Sequence, residues 1–290
     1  FIPTYYVSKL AQKKVKVVLT GDAGDEIFGG YNRYTKINYI TKLHGLPKSL
    51  KKLISYCLSN LGEKNINRID TIAKILPFFK KQFYLNDKIK KLLDRIDPNL
   101  SLSDFIFSFL LNRCEYNLLN NTDAFSKEKI FNVFNKQFAD KQLDSLALEE
   151  KLMFMDTINY LPNDILFKVD RASMANSVET RAPFLDKDLY EFSKGLSLEK
   201  KIKNSTGKII LRDLLKRKIP NHLIDRPKAG FSIPIGSWLR KPLLDWSENL
   251  LCKKNIEKSG LLNFEHINKI WADHKKGIDN SSLIWSILVF

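Results

Sequence analysis

Cysteine is scarce in this sequence, and what there is forms no pattern: Cys57, Cys114 and Cys252 are odd in number, far apart, and joined by no CxxC spacing. That excludes a disulfide framework and a thiolate metal cluster, and leaves free thiols in a reducing, cytoplasmic setting as the expectation. Histidine is as thin. His44, His222, His266 and His274 show no ligand spacing, so surface or core roles are expected of all four. Long apolar runs are missing as well: Phe105 to Leu111 is far short of a membrane span, and no secretory segment opens the chain. Negative charge is also in deficit, with 32 acidic residues against 48 basic ones and a formal charge of +16. The lysines are scattered rather than interleaved with aromatics along one face, which argues against nucleic acid as the main partner.

What is present is an ordinary globular composition, 44% hydrophobic and 28% charged over 290 residues, enough for a substantial core. Phe1 and the apolar end Leu283 to Phe290 do not read as natural termini, so a piece of something longer is the expectation.

The informative stretch runs from Val15 to Tyr31. A β-branched run, Val15 to Leu19, gives way to the glycine-interrupted acidic loop Thr20-Gly21-Asp22-Ala23-Gly24-Asp25-Glu26, and then to an amphipathic helix. A buried parallel strand ending in small and acidic residues delivers them to the carboxyl edge of an open sheet, where α/β proteins place ligands. Gly21 and Gly24 allow positive φ or close approach of a ligand to the backbone. Asp22, Asp25 and Glu26 crowd three carboxylates into five positions, which calls for a cation or a helix amino terminus; Mg²⁺, content with one or two carboxylates, suits the set.

Around this stretch the pattern is largely helical. A helix is expected from Pro3 to Lys14, with Tyr6 and Leu10 on its apolar face, and another from Glu26 to about Leu43, ended by Gly45-Leu46-Pro47. Helix, strand, acidic loop and helix make one step of a doubly wound sheet. Residues 48–146 read as amphipathic helical pieces, one starting at Ser101 to Asp104 and one carrying Phe131, Phe134 and Phe138, which together serve as a helical cover or insert. A helix from Ala147 to Leu161 stops or kinks at Pro162. Between Lys168 and Arg181, charges set among small apolar residues are expected to be partly buried and therefore paired, Glu179 with Arg181 for instance; alternatively, Arg171 or Arg181 grips an anion. Lys208 opens a helix from Ile209 to Lys218, and a lysine at an amino terminus implies an anionic partner. The basic turn at Arg226 and Lys228 either closes over phosphate or stays a solvated loop.

Three blocks carry a resemblance. Leu19 to Tyr31 resembles the second signature of the asparagine synthetase family in its glutamine-hydrolysing form. Leu161 to Ala175, continued by Val178 to Asp186, resembles a further family block. Gly207 to Arg212, followed by Arg226 to Pro234, falls where the family order places it. The resemblance implies an α/β fold with a doubly wound ATP-pyrophosphatase sheet, in a piece that is predominantly helical. It makes 1–290 a partial synthetase domain, with a glutaminase domain and a first phosphate loop upstream of Phe1. It implies ATP and Mg²⁺ as cofactors, and aspartate plus ammonia from glutamine as substrates, reacting through β-aspartyl-AMP in a cytoplasmic enzyme, compatible with a homodimer. By position it puts Thr20 and Gly21, beside Asp22, Gly24 and Tyr31, against the nucleotide and substrate. Asp25 falls on Mg²⁺, Asp22 where many members carry Glu, Arg171 and Arg181 near the substrate, and Lys208 on the developing pyrophosphate. The piece alone is expected to be inactive. Two other readings stay open: amidation of another carboxylate, such as a sugar acid, or a non-catalytic basic nucleic-acid binder.

Overall fold

The computed structural model describes residues 1–60, 101, 106, 118–120, 136, 143, 145–225 and 233–290. The helix expected after Ser101, the aromatics Phe131, Phe134 and Phe138, residue Cys114 and the basic turn at Arg226 and Lys228 lie outside the described residues. The chain divides into two compact units, one of residues 1–41 with 137–233 and one of residues 42–136 with 234–290.

In the first unit α1 (Ile2–Ala11) begins with proline in its first turn, where the missing N–H costs nothing. Its buried position is Ser8, while Tyr6, Val7 and Leu10 are more than half exposed, so the apolar face expected from spacing is turned outward. Strand β1 (Val17–Leu19) follows and pairs in parallel with β2 (Glu179–Arg181), Val17 opposite Glu179 and Leu19 opposite Arg181. The ladder is extended by Glu179 N–H to Lys16 O at 2.8 Å and Thr20 N–H to Arg181 O at 2.8 Å. This pair is the parallel sheet among the described residues. The strand is less buried than expected, Val17 being 42% and Leu19 74% exposed, because its alternate side chains share one face and no described element covers it.

The expected helix from Glu26 is broken into α2 (Gly24–Ile27) and α3 (Asn32–His44), since Gly29 takes φ +71° and turns the chain between them. α4 (Lys48–Asn60) belongs to the second unit; back in the first, α5 (Leu148–Met155) passes without interruption into a π-helix (Asp156–Leu166) and then α6 (Phe167–Met174). Pro162 sits inside the π-helix and does not stop the chain. The wider winding spares its ring the clash with a carbonyl one α-turn back. Then come α7 (Lys187–Gly195), capped by the Asp186 carboxylate on Asp188 and Leu189 N–H, and α8 (Leu198–Lys201).

A two-stranded hairpin, β3 (Ile202–Lys203) and β4 (Thr206–Gly207), closes on Asn204 and Ser205, both at positive φ as a type I′ turn requires. It leads straight into α9 (Ile209–Lys216), two residues shorter than the pattern suggested, with Lys208 at the helix start in the left-handed region at φ +60°.

The second unit is built on α10 (Ile235–Arg240), α11 (Leu244–Leu250), α12 (Lys253–Lys258), α13 (Phe264–Lys275) and α14 (Ser281–Val289). On α13 the residues Ile267, Ile270, Trp271 and His274 fall at helical spacing and are all buried, alongside Leu239, Ile256, Ile284 and Ile287. His274 is fully buried, a core role of the kind expected of the histidines, and Cys252 is a free thiol. Residues 118–120 are stitched to the loop before α13 by Asn263 N–H to Leu118 O at 2.7 Å and Asn120 N–H to Leu261 O at 2.8 Å. Among the described residues no helix is long and apolar enough to cross a membrane.

Candidate active site

The acidic loop leaves β1 at its carboxyl end, beside the carboxyl end of β2, so Thr20 and Arg181 share one sheet edge. Gly21 is open: a side chain there would meet nothing within 4 Å. Gly24 is not, since Phe184 packs 3.1 Å from where its Cβ would stand, and the left-handed residue of the loop is Ala23 at φ +70° rather than either glycine.

Beyond α2 the chain turns at Gly29-Gly30 directly against the β3–β4 hairpin. A Cβ on Gly207 would stand 2.0 Å from Gly29 O, and Lys208 N–H donates to Phe28 O at 3.0 Å. Such backbone contact is open only to glycine, and its consequence is chemical. Lys208 Nζ comes to 3.2 Å from Asp25 Oδ1, with both side chains about one-third exposed. The anionic partner that the lysine called for is therefore Asp25. Gly30 forms the floor of the pair: its missing Cβ would lie 1.8 Å from Asp25 Oδ1 and 2.4 Å from Lys208 Cε.

The crowding of carboxylates is relieved by orientation. Asp25 turns to Lys208, whereas Glu26 turns inward, 1% exposed, and accepts a hydrogen bond from the Tyr31 hydroxyl at 2.8 Å. Burial raises the pKa of Glu26, against the pull of Tyr31, and burial together with Glu26 raises that of Tyr31. Glu26 also borders a cavity of about 150 Å³ that it shares with Met153, Thr157, Tyr190 and Lys201.

Behind Tyr31 lies a buried network that the sequence did not announce. Tyr34 donates its hydroxyl to Asp156 Oδ2, and Arg33 Nε stands 2.7 Å from the same oxygen. The Arg33 guanidinium lies over the rings of Tyr31 at 4.6 Å and Tyr160 at 4.8 Å, with Nη2 buried and without a hydrogen-bond acceptor. Burial works against the Arg33 charge, and Asp156, Tyr34 and Tyr31 together more than offset it; burial raises Asp156 in turn, drawn back by Arg33 and Tyr34. The available signal was Asp156, Tyr160 and Asp164 recurring every fourth residue, the first of them directly after the apolar run Leu152 to Met155.

Arg171 and Arg181 are not drawn into this cluster. Arg181 pairs with Glu179 at 2.8 Å, as the pairing reading anticipated, but at 64% side-chain exposure; Arg171 lies over Phe167 and 3.8 Å from Asp170, also exposed. The charges between Lys168 and Arg181 are thus more exposed than expected, because α6 buries only Ala172 and Ser173 and turns its charged face out.

No group of three or more His, Cys, Asp or Glu poised for a metal occurs among the described residues. Asp25 alone fits a cation that takes one protein carboxylate and fills its shell with phosphate and water, as Mg²⁺ does, and does not fit an all-protein cage.

The family model for asparagine synthase matches residues 1–290. Asparagine synthetase [glutamine-hydrolyzing] 1 of Bacillus subtilis (strain 168) is 28% identical over all of this chain and 42% of its own length. A putative asparagine synthetase [glutamine-hydrolyzing] of Mycobacterium bovis is 28% identical over all of the chain and 40% of its own length. Amidase chry2 of Gibberella zeae is 22% identical over 87% of the chain and 37% of its own length. The chain therefore spans about two-fifths of the length of these relatives. No solved structure matches.

Proposed function

The chain belongs to the asparagine synthase family, and from that premise we propose that the protein containing it uses ATP to activate the side-chain carboxylate of aspartate for amidation to asparagine. The carboxylate oxygen attacks the α-phosphorus, the bond to the β-phosphate oxygen breaks and pyrophosphate leaves; ammonia then adds to the acyl carbon of β-aspartyl-AMP, loses a proton and displaces AMP. Positioning and charge neutralisation are the protein's part in such a step.

Asp25 would hold Mg²⁺, which supplies neutralisation of the phosphate charge. Lys208, fixed at a helix start by the hairpin, is the cation at hand for the departing pyrophosphate. Thr20 and the open Gly21 lie at the sheet edge, where backbone can approach a nucleotide, with Asp22 following them. The doubly wound sheet, ammonia from an upstream glutaminase domain, a cytoplasmic location and pairing into a homodimer belong to the same reading.

The observation that carries it is the 3.2 Å approach of Lys208 to Asp25 at the carboxyl edge of β1. The test is pyrophosphate release from ATP by the intact protein, with and without aspartate. Asp25→Asn should lower it by about 10²–10³ or more. Release that survives Asp25→Asn, or salt-sensitive nucleic-acid binding in its place, would remove the proposal. Arg171 and Arg181 are exposed and pair with Asp170 and Glu179, with no substrate-shaped pocket built around them among the described residues, which keeps a second reading: amidation of a different carboxylate. Release stimulated by another acid and not by aspartate would select it.

A further inference from the structure

Arg33 stands two positions beyond Tyr31 and touches neither Asp25 nor Lys208, yet its surroundings are those of a lock. Asp156, 5% exposed, holds Nε at 2.7 Å; the rings of Tyr31 and Tyr160, edge to face with each other at 6.0 Å, lie 4.6 and 4.8 Å from the guanidinium, and Tyr34 is 5.6 Å away. Planar cations stack on aromatic faces in a way an ammonium does not reproduce. Tyr31 is thereby fixed by its ring, and also by its hydroxyl on Glu26, the neighbour of Asp25. The residue before Tyr31 is Gly30, the floor of the Asp25–Lys208 pair. Two strands of contact thus run from Arg33 to that pair, one through the backbone of the Gly30–Tyr31 turn and one through Glu26.

We infer that Arg33 is a positioning residue, held by Asp156 and Tyr160, which sets Tyr31 and through it the register of Asp25 against Lys208. The inference deepens the functional reading above and takes from it the importance of that pair. Asp156 and Tyr160 reach Arg33 from the π-helix, so that irregular segment is the abutment against which the acidic loop is set.

The experiment reads the pair directly and needs no turnover. On the intact protein, acetylation of Lys208 by an amine-directed N-hydroxysuccinimide ester is followed by mass spectrometry, well below the melting temperature, with exposed Lys13 as internal standard. Asp25→Asn should raise the Lys208 rate roughly two- to fivefold by releasing the ammonium. Arg33→Met should raise it to a similar extent, and the double variant no further than either alone. Arg33→Lys, which keeps the charge and loses the planar face, should behave as Arg33→Met and serves if the latter does not fold. A purely structural role would lower the melting temperature and leave Lys208 acetylation unmoved. That result, additive effects in the double variant, or no rise in Asp25→Asn would each overturn the inference. A cycle that closes as expected while pyrophosphate release survives Asp25→Asn keeps the role of Arg33 and removes only the functional reading.

Discussion

Gly30 has no room for a methyl group, and what the methyl would strike are two side chains able to move, Asp25 and Lys208. Gly30→Ala should therefore cost only about 1–3 kcal/mol of stability by denaturant unfolding while releasing Lys208 to acetylation. Gly207→Ala, which would meet the backbone carbonyl of Gly29, should cost more in the same measurement. Lys201 is a different case, 7% exposed, its pKa lowered by burial and only partly restored by Glu150. Lys201→Met removes that desolvation and should raise the melting temperature by about 2–4 °C; a fall would show that Glu150 depends on the lysine more than the lysine depends on water. At this scale much was legible. Three acids after a strand, and a lysine where a helix begins, each asked for a counter-charge, and Asp25 and Lys208 answer one another. Arg33 was not legible, because its carboxylate, Asp156, is far away in sequence and nothing local to Arg33 marks it as buried.

Elements were read more coarsely. The periodicity that suggests a helix from Ala147 to Leu161 is real, but apolar spacing does not distinguish α from π winding, so the passage of the chain through Pro162 went unseen. The buried faces of α1 and α6 differ from those the pattern suggests for a related reason. Which side of a helix is covered depends on its neighbours, and those are set by pairing of segments remote in sequence. On α13 the pattern and the burial agree, and the element makes a prediction of its own. Asn280 N–H donates to His274 Nδ1 at 3.2 Å and Nε2 faces Gly236 O at 3.2 Å, an arrangement complete for the neutral ring. Burial, then Arg240, lowers the His274 pKa below the ordinary 6.5, with Asp279 acting the other way. The unfolded chain therefore binds the proton first. Stability should be whole above about pH 6.5 and decline as pH falls from there toward the depressed folded value, by up to about 1.4 kcal/mol per pH unit. Urea unfolding across that range, compared with His274→Gln, checks it: the variant should lose this slope whatever its absolute stability.

For the whole chain, an excess of sixteen positive charges scattered along the sequence works mainly by self-repulsion. Raising salt from about 0.01 M to about 0.15 M shortens the screening length from about 30 to about 8 Å and should raise the melting temperature. A fall would mean that attractive pairs such as Arg212–Asp225 and Lys275–Glu248 outweigh the repulsion. Composition could announce this balance but not the division into two units, since that depends on which distant segments meet.

One such meeting has a consequence in time. The ribosome delivers the acidic loop well before the Thr206–Gly207 hairpin strand; at ordinary rates of translation the interval is roughly ten to forty seconds. Until that strand emerges, the carboxylate at position 25 waits without its ammonium, and an elongating chain stalled in between carries half of a charge pair. The partnership on which the chemistry is proposed to rest thus forms only after all the chain between the two segments has been made.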